Sequence, residues 1–243
     1  MSAYFISGAS SGIGRELARR LVARGDRVAV AARRLDELEA LAAELADLPG
    51  QIHIFELDVT DSTAVERIIR SADSAVGGLD VVVVNAGRGG GKRIGTGGFD
   101  ENRALLDTNL TGALAQMETA VSLFRSRGRG HLVLVSSLAG WRGLPGSAAV
   151  YSASKAALAS LGESLRIELA TSGIDVTVLR PGYIDTPLLS RRGWLVTSLP
   201  RGIEAIMKAI DRRASDVGVP SWPWRPVGWI LRRVPENVLR RFS

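Results

Sequence analysis

An apolar run leads directly into three glycines in the residues Ala3-Tyr4-Phe5-Ile6-Ser7-Gly8-Ala9-Ser10-Ser11-Gly12-Ile13-Gly14. The apolar half predicts a buried strand, and the glycines predict a tight turn that opens a helix over 13–24. Such a turn lets the backbone approach a pyrophosphate, while free N–H groups and the helix dipole favour an anion. A plain strand-to-helix turn is the alternative. The position at the first strand–helix junction favours a nucleotide site made by Gly8, Ser10, Ser11, Gly12, Ile13 and Gly14.

Short β-branched runs alternate with amphipathic helical patterns along the rest of the chain. Strands are predicted at 3–7, 27–32, 52–56, 80–84, 131–136, 174–179 and 216–219, and helices near 13–24, 35–47, 61–75, 100–127, 150–172 and 203–213. The runs 81–84 and 132–135 are apolar on both faces, as expected for central parallel strands covered by helices on both sides. The pattern predicts an α/β fold with a doubly wound, mostly parallel seven-stranded sheet and helices on both faces, forming one Rossmann-type domain over 1–219.

Composition restricts the class of protein further. The 243 residues are 46% hydrophobic and 23% charged, which suits one globular domain with a substantial core. Because there are no cysteines, disulfides and thiolate metal sites are excluded. His53 and His131 lie in apolar strand-like runs, so packing positions are favoured over a metal site. The run Ala3–Ser7 predicts a strand and not a leader peptide, and a cytoplasmic location is expected.

The net charge of +6 is unevenly distributed. Residues 220–243 hold five arginines and one acid, a balance of +4 that leaves the body near +2. The body carries no basic stripe with stacking aromatics, so a nucleic-acid partner is not expected. The extension combines apolar residues at helical spacing with three tryptophans, and Pro235 divides it into two short helices. It forms either a peripheral membrane contact or a stripe that packs on the body or on a neighbouring subunit.

The end of the second predicted strand carries Arg33 and Arg34. An acidic residue there would accept hydrogen bonds from a ribose 2′-hydroxyl, whereas an arginine suits a 2′-phosphate. The sequence therefore favours NADP(H) over NAD(H), and Arg15 in the first helix is a candidate for a second cation. The alternative is that both arginines merely cap a surface helix.

Two polar turns follow the next predicted strands. Asp58-Val59 ends the third, and Asn85-Ala86-Gly87 ends the fourth. In open α/β sheets, ligands bind at the carboxyl edge of the strands, so these residues are candidates for the same nucleotide site.

Tyr151 and Lys155 lie four residues apart at the start of a predicted helix, where both side chains occupy one face. A neighbouring cation favours the phenolate and is expected to lower the pKa of the phenol from its usual value near 10. Such a phenol can give or take a proton at neutral pH.

Taken together, these motifs resemble the short-chain dehydrogenase/reductase family from about residue 3 to residue 219. The marks are Gly8-x-x-x-Gly12-Ile-Gly14, Asp58-Val59, Asn85-Ala-Gly87, Asn109 in Asn-Leu-Thr-Gly, Ser136-Ser137, Tyr151-x-x-x-Lys155 and Arg180-Pro-Gly182. The resemblance implies a catalytic tetrad of Asn109, Ser137, Tyr151 and Lys155. In these roles Tyr151 moves the proton, Ser137 binds the reacting oxygen, Lys155 tunes Tyr151 and binds the nicotinamide ribose, and Asn109 holds a water. It also implies nicotinamide contacts from Pro181, Gly182, Ile184 and Thr186, and adenosine contacts from the backbone of Asp58, Val59 and Asn85.

The serine departs from the family spacing by one residue. Ser137 precedes Tyr151 by fourteen residues, whereas the family usually has thirteen. Ser136 competes for the same role, but Ser137 followed by Leu-Ala-Gly140 matches the family pattern better. The loop 141–150 can absorb the extra residue.

The resemblance thus implies an NADP(H)-dependent oxidoreductase acting on a carbonyl or secondary alcohol, assembled as a dimer or tetramer through the helices near 100–127 and 150–172. The expected substrate pocket is apolar and is formed by the glycine-rich loop 88–98, by 138–147 and by 183–200, including Leu188, Leu189, Trp194 and Leu195. Alternatives are a nucleotide-binding regulatory or scaffold protein without turnover, and an epimerase or dehydratase.

Overall fold

A single parallel sheet organises the computed structural model, which describes residues 1–186 and 196–239. Its strands are β1 Ala3–Ser7, β2 Arg27–Ala32, β3 Gln51–Glu56, β4 Val81–Val84, β5 Gly130–Val135, β6 Ile174–Pro181 and β7 Asp216–Val219. They pair in the order β3-β2-β1-β4-β5-β6-β7, and every neighbouring pair is parallel. The predicted fold class is confirmed. The strand order reverses between β1 and β4, and the carboxyl ends of those strands form the crevice where such sheets bind ligands.

The helices cover both faces of this sheet. They are α1 Gly12–Ala23, α2 Leu35–Glu44, α3 Ser62–Ala75, α4 Phe99–Leu106, α5 Gly112–Arg127, α6 Ala149–Glu168, α7 Leu199–Asp211, α8 Ser221–Leu231 and α9 Glu236–Leu239. Short 3₁₀ turns occupy Leu138–Trp141 and Gly146–Ala148. The helix predicted over 100–127 is divided by a π-helical turn at Asp107–Thr111, which widens the backbone around Asn109.

Strand β4 shows why the sheet needs helices on both sides. Val82 and Val84 belong to one buried apolar cluster, and Val81 and Val83 belong to the other. All four side chains are buried, because successive residues of a strand point to opposite faces. The two clusters hold the sheet rigidly, so the residues at its carboxyl edge have a firm support.

His131 at the start of β5 occupies a packing position. Its imidazole is buried and forms a 2.8 Å hydrogen bond with the Thr177 hydroxyl on β6. Burial and then the nearby Arg213 guanidinium lower the pKa of His131 to about 4, although Asp175 opposes them. The ring is therefore neutral at physiological pH. Within the described residues, no three side chains of metal-ligand type are grouped as a metal site would require.

The C-terminal segment 220–239 lies against the body of the domain. Trp224 is only 2% exposed. A Cβ built on Gly228 would lie 1.7 Å from the Trp141 ring, so α8 approaches the loop after β5 closely. Arg142 donates hydrogen bonds to the carbonyls of Leu231 and Val234 near the end of α8. None of the described helices combines the length and apolar character needed to cross a bilayer.

Candidate active site

The glycine turn after β1 has a backbone that side chains would obstruct. Gly8 and Gly12 have φ values of +68° and +57°, a conformation that glycine adopts without strain. A Cβ on Gly14 would lie 2.6 Å from the Gly8 carbonyl oxygen, so this glycine permits the close approach of α1 to the turn. Ile13, beside it, packs against the core. The three glycines therefore shape a turn that brings the backbone to the surface of the crevice.

The amino terminus of α1 keeps its N–H groups available. Within the described residues, Ser11 at the N-cap forms no side-chain capping bond, and the first turn carries no acid. Free N–H groups and the positive end of the helix dipole attract an anion. The residues present thus fit a pyrophosphate at this end of the sheet, as the glycine motif predicts.

Ser7 and Asn85 tie the glycine turn to the neighbouring strand. The Ser7 hydroxyl accepts hydrogen bonds from the backbone N–H groups of Asn85 at 3.1 Å and Ala86 at 3.0 Å. The Asn85 amide donates to the carbonyls of Ser7 at 2.8 Å and Gly8 at 3.3 Å. The predicted cofactor residues at the ends of β1 and β4 are therefore one hydrogen-bonded unit. Ser7 is missing from the predicted set, although its place before the first glycine is a readable signal.

The three predicted cationic residues differ in their surroundings. Arg15 is turned towards α2, where its guanidinium lies 3.5 Å from Glu37 and 3.0 Å from Glu44. Arg34 donates a 2.9 Å hydrogen bond to the Ser10 hydroxyl of the glycine turn. The Arg33 side chain is 75% exposed, with the Asp58 carboxylate 3.9 Å away. Arg33 and Arg34 therefore lie at the end of the sheet where the nucleotide site is predicted, while the charge of Arg15 is compensated by Glu37 and Glu44.

Asp58 and Val59 lie beside these arginines at the end of β3. Burial raises the pKa of the Asp58 carboxyl, but hydrogen bonds from the Thr60 backbone and hydroxyl, together with Arg33, lower it below its usual value overall. Val59 is buried, and a Cβ on Gly112 would lie 2.5 Å from its carbonyl oxygen. Gly112 thus lets α5 pack directly on this turn.

Tyr151, Lys155 and Ser137 come together at the start of α6. The Lys155 ammonium nitrogen is 6.0 Å from the centre of the Tyr151 ring. It also donates a 2.9 Å hydrogen bond to the Val135 carbonyl at the end of β5. The Ser137 hydroxyl interacts with the Tyr151 phenol. The three side chains predicted to handle the proton are therefore neighbours.

The direction of the Tyr151 pKa is the reverse of the one expected from the Tyr–Lys spacing. Burial raises the pKa of Tyr151; the bond with Ser137 lowers it, and nearby Tyr183 adds to the rise. Burial also lowers the pKa of Lys155 to about 8. The prediction of a lowered Tyr151 pKa is wrong, because desolvation disfavours the charged form of each group, the phenolate and the ammonium. A low-dielectric site thus holds a neutral phenol beside a lysine that loses its proton easily.

Ser136 and Ser137 have different surroundings. The Ser136 hydroxyl is buried and donates a 2.7 Å hydrogen bond to the Lys155 carbonyl, so it joins β5 to α6. The Ser137 hydroxyl accepts a 3.1 Å bond from the Ala139 N–H and faces Tyr151. The chain between Ser137 and Tyr151 forms two 3₁₀ turns, Leu138–Trp141 and Gly146–Ala148. The geometry therefore favours Ser137 as the partner of the phenol.

Asn109 is buried within the π-helical turn. Its side-chain oxygen accepts a 2.8 Å bond from the Arg88 N–H, and its amide donates to the Arg88 carbonyl at 3.0 Å and the Ser154 hydroxyl at 3.3 Å. A Cβ on Gly87 would lie 3.3 Å from both the Asn109 oxygen and the Lys155 ammonium nitrogen. Gly87 therefore leaves the space through which Asn109 and Lys155 face each other.

The residues predicted at the nicotinamide end follow β6. Pro181 ends the strand, and the Gly182 N–H donates a 3.1 Å bond to the Val219 carbonyl. Ile184 is buried and forms a bridge with Thr197, which holds together the two chain ends that flank 187–195. Thr186 is half-buried at the edge of the described residues. The predicted pocket residues Leu188, Leu189, Trp194 and Leu195 lie outside them.

Two aromatic residues at this end are missing from the predicted site. A Cβ on Gly182 would lie 2.1 Å from the Trp224 indole, so Gly182 is required for the insertion of that ring. Tyr183 meets Trp224 edge to face, with ring centres 5.4 Å apart. The sequence places Trp222, Trp224 and Trp229 in one C-terminal extension, and their spacing does not show which indole is buried.

The glycine-rich loop borders an open cavity of about 380 Å³ beside the start of α6. The cavity is largely apolar and is lined by Arg93, Ile94, Gly95, Gly97, Gly98, Phe99, Asn102 and Val150. Val150, at the start of α6, is the lining residue nearest in sequence to Tyr151, which does not itself line the cavity. Asn102 holds the loop by hydrogen bonds with both backbone groups of Lys92.

Comparisons with known proteins agree with this arrangement. The family model for short chain dehydrogenases matches residues 2–193. An uncharacterized oxidoreductase of Mycobacterium tuberculosis is 44% identical over 242 residues, which cover 98% of this chain and 96% of the relative.

Solved structures share the fold over about nine tenths of the chain. An alcohol dehydrogenase from the archaeon Thermococcus sibiricus, complexed with 5-hydroxy-NADP, is 27% identical and covers 91% of this chain and 97% of its own, with a TM-score of 0.80. A 3-ketoacyl-(acyl-carrier-protein) reductase from Brucella melitensis, complexed with NADH, is 24% identical and covers 91% and 97%, with a TM-score of 0.82. At that identity the second likeness concerns the fold alone.

Proposed function

Because this chain belongs to the short chain dehydrogenase family and is an oxidoreductase of that type, we propose that it interconverts a carbonyl and a secondary alcohol with NADP(H). One observation carries the proposal. The Tyr151 phenol, the Ser137 hydroxyl and the Lys155 ammonium converge at the carboxyl edge of the sheet, the edge that also holds the glycine turn at the start of α1. A phenol held in this way can exchange a proton with an oxygen.

The nicotinamide cofactor, when bound, supplies the hydride that forms the new C–H bond of the alcohol. Tyr151 donates its phenolic proton to the carbonyl oxygen, and the reverse reaction returns that proton. Ser137 donates a hydrogen bond to the same oxygen and holds it beside the phenol. The buried Lys155 ammonium favours the phenolate left after proton transfer.

The remaining residues hold the cofactor or support the proton path. The N–H groups at the start of α1 bind the pyrophosphate, and Asp58, Val59 and Asn85 border the adenosine. Pro181, Gly182, Ile184 and Thr186 border the nicotinamide, and Lys155 binds its ribose. Asn109, close to Lys155 across Gly87, orients a water that renews the proton.

The choice of NADP(H) rests on Arg33 and Arg34. Solved structures of this fold are found with NADH as well as with an NADP analogue, so the fold does not determine which of the two cofactors binds. Arg33 is exposed at the end of β2, and Arg34 bonds to Ser10 of the glycine turn. Two guanidinium groups at this point attract the 2′-phosphate that distinguishes NADPH.

Changing Arg33 to Asp is expected to raise the KM for NADPH by about 10- to 100-fold, because a charge-assisted hydrogen bond is lost and a repulsive charge is added. The KM for NADH should change little or fall. Initial rates with both cofactors, at one saturating carbonyl substrate, measure the ratio.

Arg70→Asp is the matched control, since it makes the same charge change on exposed α3. It should leave both KM values unchanged. A wild-type enzyme that prefers NADH, or an Arg33→Asp variant that keeps its NADPH preference, would contradict the assignment.

The substrate we propose is apolar, since the cavity at the start of α6 is largely apolar and is lined by Ile94, Phe99 and Val150. Oxidation of NADPH across ketones, aldehydes and acyl-chain carbonyls is the test, and turnover should be fastest with apolar compounds. Tight NADPH binding without turnover of any of them would favour a regulatory or scaffold protein. Carbon-centre inversion or water loss without net cofactor oxidation would favour an epimerase or dehydratase.

Assembly as a homodimer or homotetramer belongs to the same proposal. The helices α5 and α6 each expose a large apolar side chain, Leu114 at 40% and Ile167 at 73%. Such residues are suited to a contact between copies of the chain.

A further inference from the structure

The C-terminal segment 220–239 has an inner and an outer face. Its inner face is occupied by contacts with the body: buried Trp224 lies on Gly182, and Gly228 lies on the Trp141 ring. Arg142 donates hydrogen bonds to the carbonyls of Leu231 and Val234 near the end of α8. These contacts fix the orientation of α8, so the side chains on its other side are held towards solvent.

The outer face is apolar and aromatic. Trp222, Trp229 and Ile230 are 71%, 61% and 52% exposed, and Val238 in α9 is 40% exposed. Scattered apolar residues are normal on a surface, but here two exposed tryptophans and an isoleucine fall within nine residues and make this stretch an apolar patch. Trp222 lies at a non-helical kink, and Trp229 and Ile230 lie in the helical turns that follow it. Tryptophan is enriched where a protein meets the headgroup region of a membrane.

One arginine lies directly among these apolar side chains: the Arg233 guanidinium is 4.2 Å from the centre of the Trp229 ring. Arg232 lies 5.2 Å from the Trp141 ring, at the border with the inner face. Both arginines are exposed. The sequence 220–243 holds five arginines against one acid. The patch is therefore positive as well as apolar.

We propose that this outer face, formed by Trp222, Trp229, Ile230 and Arg233, binds the surface of an anionic membrane. An amphipathic helix with tryptophan on one side and arginines around it binds the interface through apolar burial and attraction to anionic headgroups. A second copy of the chain is the less favoured occupant, since a two-fold contact here would bring the arginines of both copies together. Trp224, two residues after Trp222, lies against Gly182, which we assign to the nicotinamide end of the candidate site.

The test is flotation of the full chain with vesicles of phosphatidylcholine containing about a third phosphatidylglycerol, compared with vesicles of phosphatidylcholine alone. The wild type should float with the anionic vesicles, and less so at high salt because salt screens the arginines. The combined variant Trp222→Ser, Trp229→Ser and Ile230→Ser should bind at least about tenfold less. Arg233→Gln should weaken binding by a smaller factor.

The triple variant keeps Trp224, so the contacts of the inner face stay in place; a chain ending at Val219 would remove them. Arg70→Gln, which removes the same charge as Arg233→Gln from exposed α3, is the matched control and should float like the wild type. Absence of wild-type flotation, or equal flotation of the triple variant, would overturn the proposal. A triple variant that lowers the mass measured by light scattering, while vesicles bind neither protein, would assign the face to a second copy. Catalytic assays with a soluble carbonyl are independent of these readouts.

Discussion

Replacing Tyr151 by Phe is expected to lower kcat for carbonyl reduction by about 10³-fold, with NADPH affinity changed by less than about twofold. The substitution removes the phenolic oxygen and keeps the ring, so packing at the start of α6 is retained. The loss arises because Tyr151 is the group placed to give its proton to the substrate oxygen, beside Ser137. Stopped-flow or steady-state NADPH oxidation gives kcat, and quenching of protein fluorescence gives the affinity for NADPH.

The two adjacent serines provide the matched pair of controls. Ser137→Ala should lower kcat by about 10²-fold, because the reacting oxygen loses a hydrogen bond in the transition state. Ser136→Ala should instead lower the free energy of unfolding by about 1 kcal/mol, since its hydroxyl joins β5 to α6 through the Lys155 carbonyl. A Tyr151→Phe enzyme within tenfold of the wild-type kcat would refute the proton-transfer role of Tyr151. The reverse pattern in the serines would assign the binding of the reacting oxygen to Ser136.

Replacing Lys155 by Met is expected to abolish measurable reduction and to stabilise the fold at neutral pH. The Lys155 side chain is buried, and burial lowers its pKa from 10.5 to about 8. That difference corresponds to about 3 kcal/mol of unfavourable free energy in the folded state. The substitution also removes the hydrogen bond from Lys155 to the Val135 carbonyl, which lowers the free energy of unfolding by about 1 kcal/mol. The net increase in the free energy of unfolding is therefore about 2 kcal/mol.

The pH dependence of this gain has a definite sign. Between about 8 and 10.5 the unfolded chain holds the Lys155 proton and the folded protein has released it, so the wild type becomes more stable as pH rises through this window. The Met variant should therefore be more stable by about 2 kcal/mol below pH 8 and lose this advantage as pH rises. Above about 10.5 it should be less stable than the wild type by about 1 kcal/mol, because only the lost hydrogen bond to the Val135 carbonyl remains. Urea unfolding of both proteins at several pH values measures the difference directly.

Lys208→Met tests whether the effect belongs to the buried lysine. Lys208 is exposed on α7 and pairs with Glu204, so its removal should change the free energy of unfolding little and leave turnover intact. If Lys155→Met is less stable than the wild type at neutral pH, or its advantage grows with pH, the assignment of a desolvated ammonium is wrong.

The fold could be predicted from the sequence because its signals are local and repeated. Apolar runs such as Val81–Val84 are long enough for strands and too short for helices, and their two-sided apolar character requires a covered parallel sheet. The helix boundaries were predicted less accurately, because the π-helical turn at Asp107–Thr111, which divides the helix predicted over 100–127, has no local signal in the sequence. That turn depends on Asn109 reaching Arg88 and Ser154, which are distant in the chain.

The candidate site, too, could be predicted only in part from the sequence. Motif order indicated which residues gather at the carboxyl edge, but not the state of their side chains. Arg15 is diverted to Glu37 and Glu44 on α2, and Ser136 is turned inward to Lys155. Both outcomes depend on contacts between separate elements, which spacing does not contain.

By itself the sequence determined the parallel sheet, the glycine turn and the pairing of Tyr151 with Lys155, because periodicity and backbone freedom are properties of neighbouring residues. Only the tertiary structure decided that Tyr151 is harder to ionise than a free phenol, that Ser137 faces it, and that Trp224 turns inward while Trp222 and Trp229 stay exposed. The physical reason is that desolvation and burial depend on everything that surrounds a side chain, and residues far apart in the chain supply most of those surroundings.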